Sequence, residues 1–181
     1  MAVQIAFLRG INLGPSRRVP MGGLRASLEQ AGYRDVRTVL QSGNVVLAST
    51  LAAAELERDL QARLRDAFGL EIAVLVRGRD ELAAVLARDP FGGEADDPRL
   101  LQVSFLAAAP DPDRVRDLES ADVAPERVAV HGREVYAWHP QGLARSPLAK
   151  LITDRRLGVE VTARNRRTIT KVLEVADQGG A

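Results

Sequence analysis

Cysteine is missing from this chain of 181 residues. Disulfides, thiolate metal centres, iron–sulfur clusters and cysteine nucleophiles are therefore excluded. Aromatic residues are scarce at 4%, so Leu, Val and Ala must build the core. Recognition that stacks RNA bases on strand aromatics has little to work with. Lysine is nearly absent as well: Lys150 and Lys171 are the only two among 25 basic residues, a skew that fits a GC-rich genome and assigns no function. No excess of one charge sign is present. The formal balance of +1 argues neither for nor against an anionic partner. No apolar run reaches the roughly 18 residues that would cross a bilayer. The stretch Met1–Arg9 lacks a basic n-region and meets Gly10 early, so it reads as a strand and not as a signal peptide. The expected setting is the cytoplasm, without membrane contact. P-loop, G-x-G-x-x-G and G-x-S-x-G patterns are all missing, which removes the common nucleotide-binding and hydrolase motifs.

What is present is the composition of a globular protein, 46% hydrophobic and 27% charged. Residues 2–9 alternate into a strand. A loop of residues 10–18 follows, and a helix starts near Pro20, which suits the first helical position. Met21, Leu24, Leu28 and Ala31 form its apolar face and Gly32 ends it. Residues 34–40 make a second strand, Gln41-Ser42-Gly43-Asn44 a turn, and Val45–Ala48 a third strand. Leu56, Leu60, Leu64 and Ala67 mark a helix over 52–68, and Glu71–Arg77 a fourth strand. This βαββαβ order is the split βαβ unit of ferredoxin-like folds. A linking helix over 80–88, with Asp80 as its cap, leads into Asp89–Pro98, rich in breakers and acids, the expected boundary. The order then repeats: a strand over Leu101–Ala107, a helix over 111–121, a hairpin of Arg127–His131 and Glu134–His139, a helix over 146–156, a short strand at Val159–Val161, and a last helix over 164–177. The expected fold class is α+β, an architectural duplication of two ferredoxin-like subdomains plus a C-terminal helix. Their expected limits are 1–78 and 100–181, joined by 79–99. The tail from Gln178 to Ala181 reads as frayed.

Several of these segments resemble a bacterial domain-of-unknown-function family, number sixteen ninety-seven. They are Leu8-Arg9-Gly10-Ile11-Asn12-Leu13-Gly14, Val19-Pro20-Met21 and Gln41-Ser42-Gly43-Asn44-Val45, with Ala144-Arg145-Ser146, Thr162-Ala163-Arg164-Asn165, Thr168 and Lys171 at the far end. The resemblance covers nearly the whole chain. It implies two ferredoxin-like subdomains and no activity. Where the family has Gly-Lys-Asn, this chain has Pro15-Ser16-Arg17. Where the family has Lys after the Arg-Ser pair, Pro147 stands here, and where it has Trp after Arg-Asn, Arg166 stands here.

Topology locates a candidate site. The first two strands of a βαββαβ unit run parallel, so the loop after strand 1 and the 41–44 turn lie on one sheet edge. Arg9, Asn12, Arg17, Arg18, Gln41, Ser42 and Asn44 are expected to converge there as donors, and Gly10 and Gly43 would let a ligand approach the backbone. The same residues serve equally well as ordinary turn formers. A second signal is electrostatic. Acids are favoured at helix N-termini, each by about 0.3–1 kcal/mol, yet Arg17 and Arg18, and Arg145 before Ser146, precede expected helices, and Arg164, Arg166 and Arg167 crowd the start of the last one near Asn165. Arg164, Thr168 and Lys171 would share a helical stripe. Eight basic residues face two acids over 141–172, and eight acids face three arginines over 89–120. Helix N-termini and guanidinium groups together make anion sites. Ion pairs with Asp96, Asp97, Asp111 or Asp113 are the structural alternative.

His131 and His139 are the only histidines. They lie on two arms of one hairpin without an acidic ligand pattern, so no metal and no cofactor is assigned. A serine triad assembled in space stays open. The leading reading is a binding or regulatory protein for a phosphate-bearing ligand, a small molecule or nucleic acid. Its ligand residues would be Arg9, Gly10, Asn12, Ser42, Gly43, Asn44, Arg145, Ser146, Arg164, Asn165, Thr168 and Lys171. The alternatives are a small-molecule enzyme using the polar cluster at the strand 1 loop and the 41–44 turn, with no catalytic residue assigned, and a scaffold whose basic face docks a protein. The oligomeric state stays open.

Overall fold

A computed structural model of the chain describes residues 1–14 and 17–179. Pro15 and Ser16 of the expected first loop, and Gly180 and Ala181 of the tail expected to fray, lie outside the described residues. Eight strands and six α-helices are described, in two compact units. One holds Met1–Ala84 together with the chain from Lys171 on, and the other holds Val85–Thr170.

The first unit contains β1 (Ala2–Leu8), α1 (Met21–Gln30), β2 (Arg34–Val39), β3 (Asn44–Ser49), α2 (Ala53–Phe68) and β4 (Val74–Gly78). Its sheet has the order β2-β3-β1-β4 with antiparallel neighbours. Alternation does the sorting. Ala6 and Leu8 of β1, Val45 and Leu47 of β3, and Val74 and Val76 of β4 share one face with Leu24 and Leu28 of α1 and Leu56, Leu60 and Leu64 of α2. Leucines at i, i+4 and i+8 give α2 a continuous buried stripe, and Gly69, at φ +66, closes it in the left-handed conformation.

The second unit repeats the plan with β5 (Leu101–Leu106), α4 (Pro112–Glu119), β6 (Arg127–His131), β7 (Glu134–Trp138), α5 (Asp154–Leu157) and β8 (Val161–Asn165), in the order β6-β7-β5-β8. The helix α3 (Arg79–Ala87) leads in, and α6 (Arg166–Asp177) follows. The two sheets place their strands in the same relative order. The expected pair of ferredoxin-like subdomains and the C-terminal helix are therefore both present.

Several expected boundaries move, each for a local reason. Pro20 is the cap residue of α1 and not its first helical position. Asp80 lies within the first turn of α3 instead of capping it. The helix expected over 146–156 breaks into a 3-10 turn at Leu148–Lys150 and the single turn of α5. Thr153 sits between them in extended backbone and takes the Arg156 N–H on its hydroxyl at 3.3 Å, a side-chain bond that competes with helix continuation. The short strand expected at 159–161 becomes β8, and α6 begins only at Arg166. Asn165 then caps α6, its Oδ1 accepting the Thr168 N–H at 2.8 Å.

The loop expected as a boundary, Asp89–Pro98, is bound into the second unit. Phe91 and Ala95 are buried, Asp89 accepts the Gly93 N–H at 2.7 Å, and Arg127 pairs with Glu94 while lying over the Phe91 ring. The division between units falls inside α3 instead, after Ala84.

Candidate functional site

The expected edge of the first unit is assembled, and its polar groups bind the protein itself. Asn12 stands at φ +55. Its Nδ2 donates to the carbonyls of Gln41 at 2.8 Å and Val19 at 3.2 Å, and its Oδ1 accepts the Val19 N–H at 2.9 Å. Arg17 donates to the carbonyls of Gly10 and Glu71 at 2.8 and 2.9 Å. Asn44 is fully buried and donates to the Val39 carbonyl and to Ser42 Oγ at 2.8 and 3.0 Å. Leu8 donates its N–H to the Gly43 carbonyl at 2.8 Å. Arg9 is half-buried and gives its backbone N–H to Ala73. Gly43 lies at φ +77, and a Cβ there would stand 2.6 Å from Ile11 Cδ1. The close approach that required a glycine at this position is therefore to the protein's own core. Gly10, at φ +63, has open space at its Cβ position.

The C-terminal candidates occupy different kinds of place. Arg164 lies on β8, and a helical stripe of Arg164, Thr168 and Lys171 does not form because α6 starts after Arg164. Arg164 Nη1 donates to Thr162 Oγ1 at 3.1 Å and to the Ala163 carbonyl at 2.8 Å. Burial pushes its guanidinium down to about 10. Asn165 is the cap of α6, and Thr168 supplies the capped N–H. Lys171 pairs with Glu174 at 3.3 Å on the exposed side of α6. Arg145 is exposed, while Ser146 is buried.

Ser146 belongs to a polar cluster that no sequence signal marks, because its members are brought together only by folding. Glu126 Oε1 lies 2.7 Å from His139 Nδ1, and Ser146 Oγ lies 3.0 Å from the same nitrogen. Glu126 Oε2 accepts the Leu148 N–H at 2.9 Å, and Ser146 Oγ accepts the Ala149 N–H at 2.8 Å. All three side chains are buried. Burial pushes the Glu126 carboxyl up, but hydrogen bonds from Ser146, His139 and the Leu148 N–H outweigh it and hold it below its ordinary value. A catalytic triad needs the acid and the serine on opposite ring nitrogens. Here both meet Nδ1, and Nε2 has no hydrogen-bond partner among the described residues. The cluster is a clamp on the 146–149 turn.

The turn delivers Lys150 to a basic concavity of about 490 Å³. Arg114 of α4, Lys150, Thr153, Arg155 and Arg156 line it. Arg114 is held in place: its Nη1 donates to the carbonyls of Arg155 and Arg156 at 3.1 and 2.6 Å. Gly158 makes room for it, since a Cβ there would come within 3.2 Å of the guanidinium carbon. None of these four cations forms an ion pair among the described residues. Arginines elsewhere do: Arg99 with Asp97, Arg116 with Asp113, Arg79 with Asp177 and Arg63 with Asp59. The basic run over 141–172 pointed toward this region. Yet none of the lining residues is among the expected ligand residues: Lys150, Arg155 and Arg156 are marked only by that run, and Arg114, in the acid-rich stretch, by no signal at all.

Among the described residues, no group of three or more His, Asp or Glu is placed to hold a metal ion, and no helix is long and apolar enough to cross a membrane. The model of the family described as "protein of unknown function (DUF1697)" matches residues 1–136. The resemblance noted at Ala144–Ser146 and Thr162–Asn165 falls beyond that match. No curated protein matches the chain. Among solved structures, the conserved bacterial protein SP0830 from Streptococcus pneumoniae superposes with a TM-score of 0.74 at 22% identity, covering 98% of this chain and 99% of that one. At that identity the likeness speaks for the fold alone.

Proposed function

We propose that this chain, which belongs to the DUF1697 family, is a cytoplasmic binding protein for a phosphate-bearing ligand, and that the phosphate seats in the basic concavity of the second unit. One observation carries the reading: four cations, Arg114, Lys150, Arg155 and Arg156, line one concavity and none is ion-paired among the described residues. Like charges gathered without neutralising partners repel one another. A bound anion removes that cost, and guanidinium groups match phosphate geometry with paired donors. Thr153 adds a hydroxyl to the wall. Within the concavity itself the lining holds no carboxylate and no imidazole that could act as a general base at the phosphate. Arg145 stays in the reading as an exposed cation on the same basic segment.

The test is calorimetric titration of the full chain with inorganic phosphate and pyrophosphate, at low and physiological salt. Saturable binding is expected, weakened at least tenfold by Lys150→Glu and by Arg155→Glu. Equal affinities in wild type and both variants, or no binding of any anion, refute the proposal.

A further inference from the structure

The basic concavity has a neighbour. Arg114 and Arg156 also line a smaller cleft of about 70 Å³ whose other walls are Asp117, Leu118, Leu151 and Leu157. The two cavities thus share two arginines and differ in chemistry. One is wide and cationic. The other is narrow, with three leucines and one carboxylate. Leu118 and Leu157 are 5% and 1% exposed, so the apolar wall is part of the core and not a loose surface patch. Arg114 is pinned at the partition by its two carbonyl bonds. The Asp117 carboxylate makes no hydrogen bond or ion pair among the described residues.

We infer that the ligand is a small phosphomonoester with a short apolar body that carries a hydrogen-bond donor, its phosphate in the basic concavity and its body in the leucine-lined cleft. This rests on the anion reading given above and narrows it. Each part of such a molecule meets the surface that favours it. The phosphate would lose its hydration without compensation among the leucines, and Asp117 would repel it. An alkyl segment gains by leaving water for Leu118, Leu151 and Leu157. A hydroxyl or ammonium on that segment can donate to the Asp117 carboxylate. The small volume of the cleft limits the body to a few heavy atoms, which excludes a nucleobase from it.

The experiment is a calorimetric series on the full chain with inorganic phosphate, ethyl phosphate, n-propyl phosphate and 3-aminopropyl phosphate, with a single-stranded RNA alongside. Affinity is expected to rise by about twofold to fourfold for each methylene that enters the cleft. The amino ester should bind more tightly than n-propyl phosphate, and Asp117→Asn should remove that advantage. Leu151→Phe should abolish the chain-length gain. If inorganic phosphate binds and the esters bind no better, the inference is overturned and the anion reading stands. If neither phosphate nor any ester binds, both fall. Binding of RNA alone, lost as salt rises, overturns the inference and assigns the basic face to nucleic acid. The wild-type series decides the matter even if a variant fails to fold.

Discussion

Gly43→Ala should destabilise the first unit by far more than Gly10→Ala, although both glycines have positive φ. At Gly10 the φ is +63 and a new Cβ would meet nothing within 4 Å. The cost there is conformational alone, about 1–2 kcal/mol for a side chain in the left-handed region. At Gly43 the φ is +77, and the Cβ would stand 2.6 Å from Ile11 Cδ1 and 2.9 Å from Leu8 Cβ. Ile11 and Leu8 are core residues, 3% and 2% exposed, so neither can swing into solvent. Overpacking of this kind adds about 1–3 kcal/mol. The total for Gly43→Ala is then about 2–5 kcal/mol. Urea unfolding of the two variants would measure the losses. Hydrogen exchange at the Leu8 amide, bonded to the Gly43 carbonyl, would report on this unit separately from the other. Ile11→Val in the Gly43→Ala background removes the nearest clashing atom and should recover part of the loss, giving a coupling energy. Equal losses at Gly10 and Gly43, or no recovery with Ile11→Val, would refute the steric argument.

Two further outcomes are expected. The Glu126 carboxyl titrates below its ordinary value in the fold, so the stability it contributes is fully present above the ordinary carboxylate range and drains away as pH falls through its own lower titration. Glu126→Gln should cost about 1–3 kcal/mol near neutral pH and should flatten the acid limb of the stability profile; an unchanged acid limb would contradict the role given to the clamp. Hydrogen bonds from the Arg99 side chain and backbone hold the Asp97 carboxyl at about 2, and an NMR titration should find its midpoint there. Arg99→Ala should return it toward the usual aspartate range, and a midpoint that stays low would assign the effect to another cation.

Most of the architecture is legible in the chain because it rests on short-range periodicity. Leu56, Leu60 and Leu64 announce α2 at helical spacing, and the short apolar runs Gln4–Leu8 and Val45–Ala48 read as strands, whose register with each other the folded sheet supplies. Two βαββαβ runs then leave few topologies open. The misplaced limits come from places where a side chain competes locally with the backbone. Thr153 caps α5 and breaks the expected 146–156 helix. Asn165 caps α6 and leaves Arg164 on a strand.

The candidate site divides along the same line. Sequence alone determined that the loop after β1 meets the 41–44 turn, because parallel strands must end on one edge, and that the C-terminal third is rich in arginine. It could not determine what those side chains hold. Asn12, Asn44 and Arg17 turn to backbone carbonyls because buried or crowded polar groups must find partners wherever the chain offers them. Only the tertiary structure joined Glu126, His139 and Ser146, and only it brought Arg114 from an acidic stretch to Lys150, Arg155 and Arg156. Spacing along the chain encodes which face a residue takes within its own element. Which elements pack against each other, and so which charges are left without a partner, is settled only when the whole sheet and its helices close around a common core.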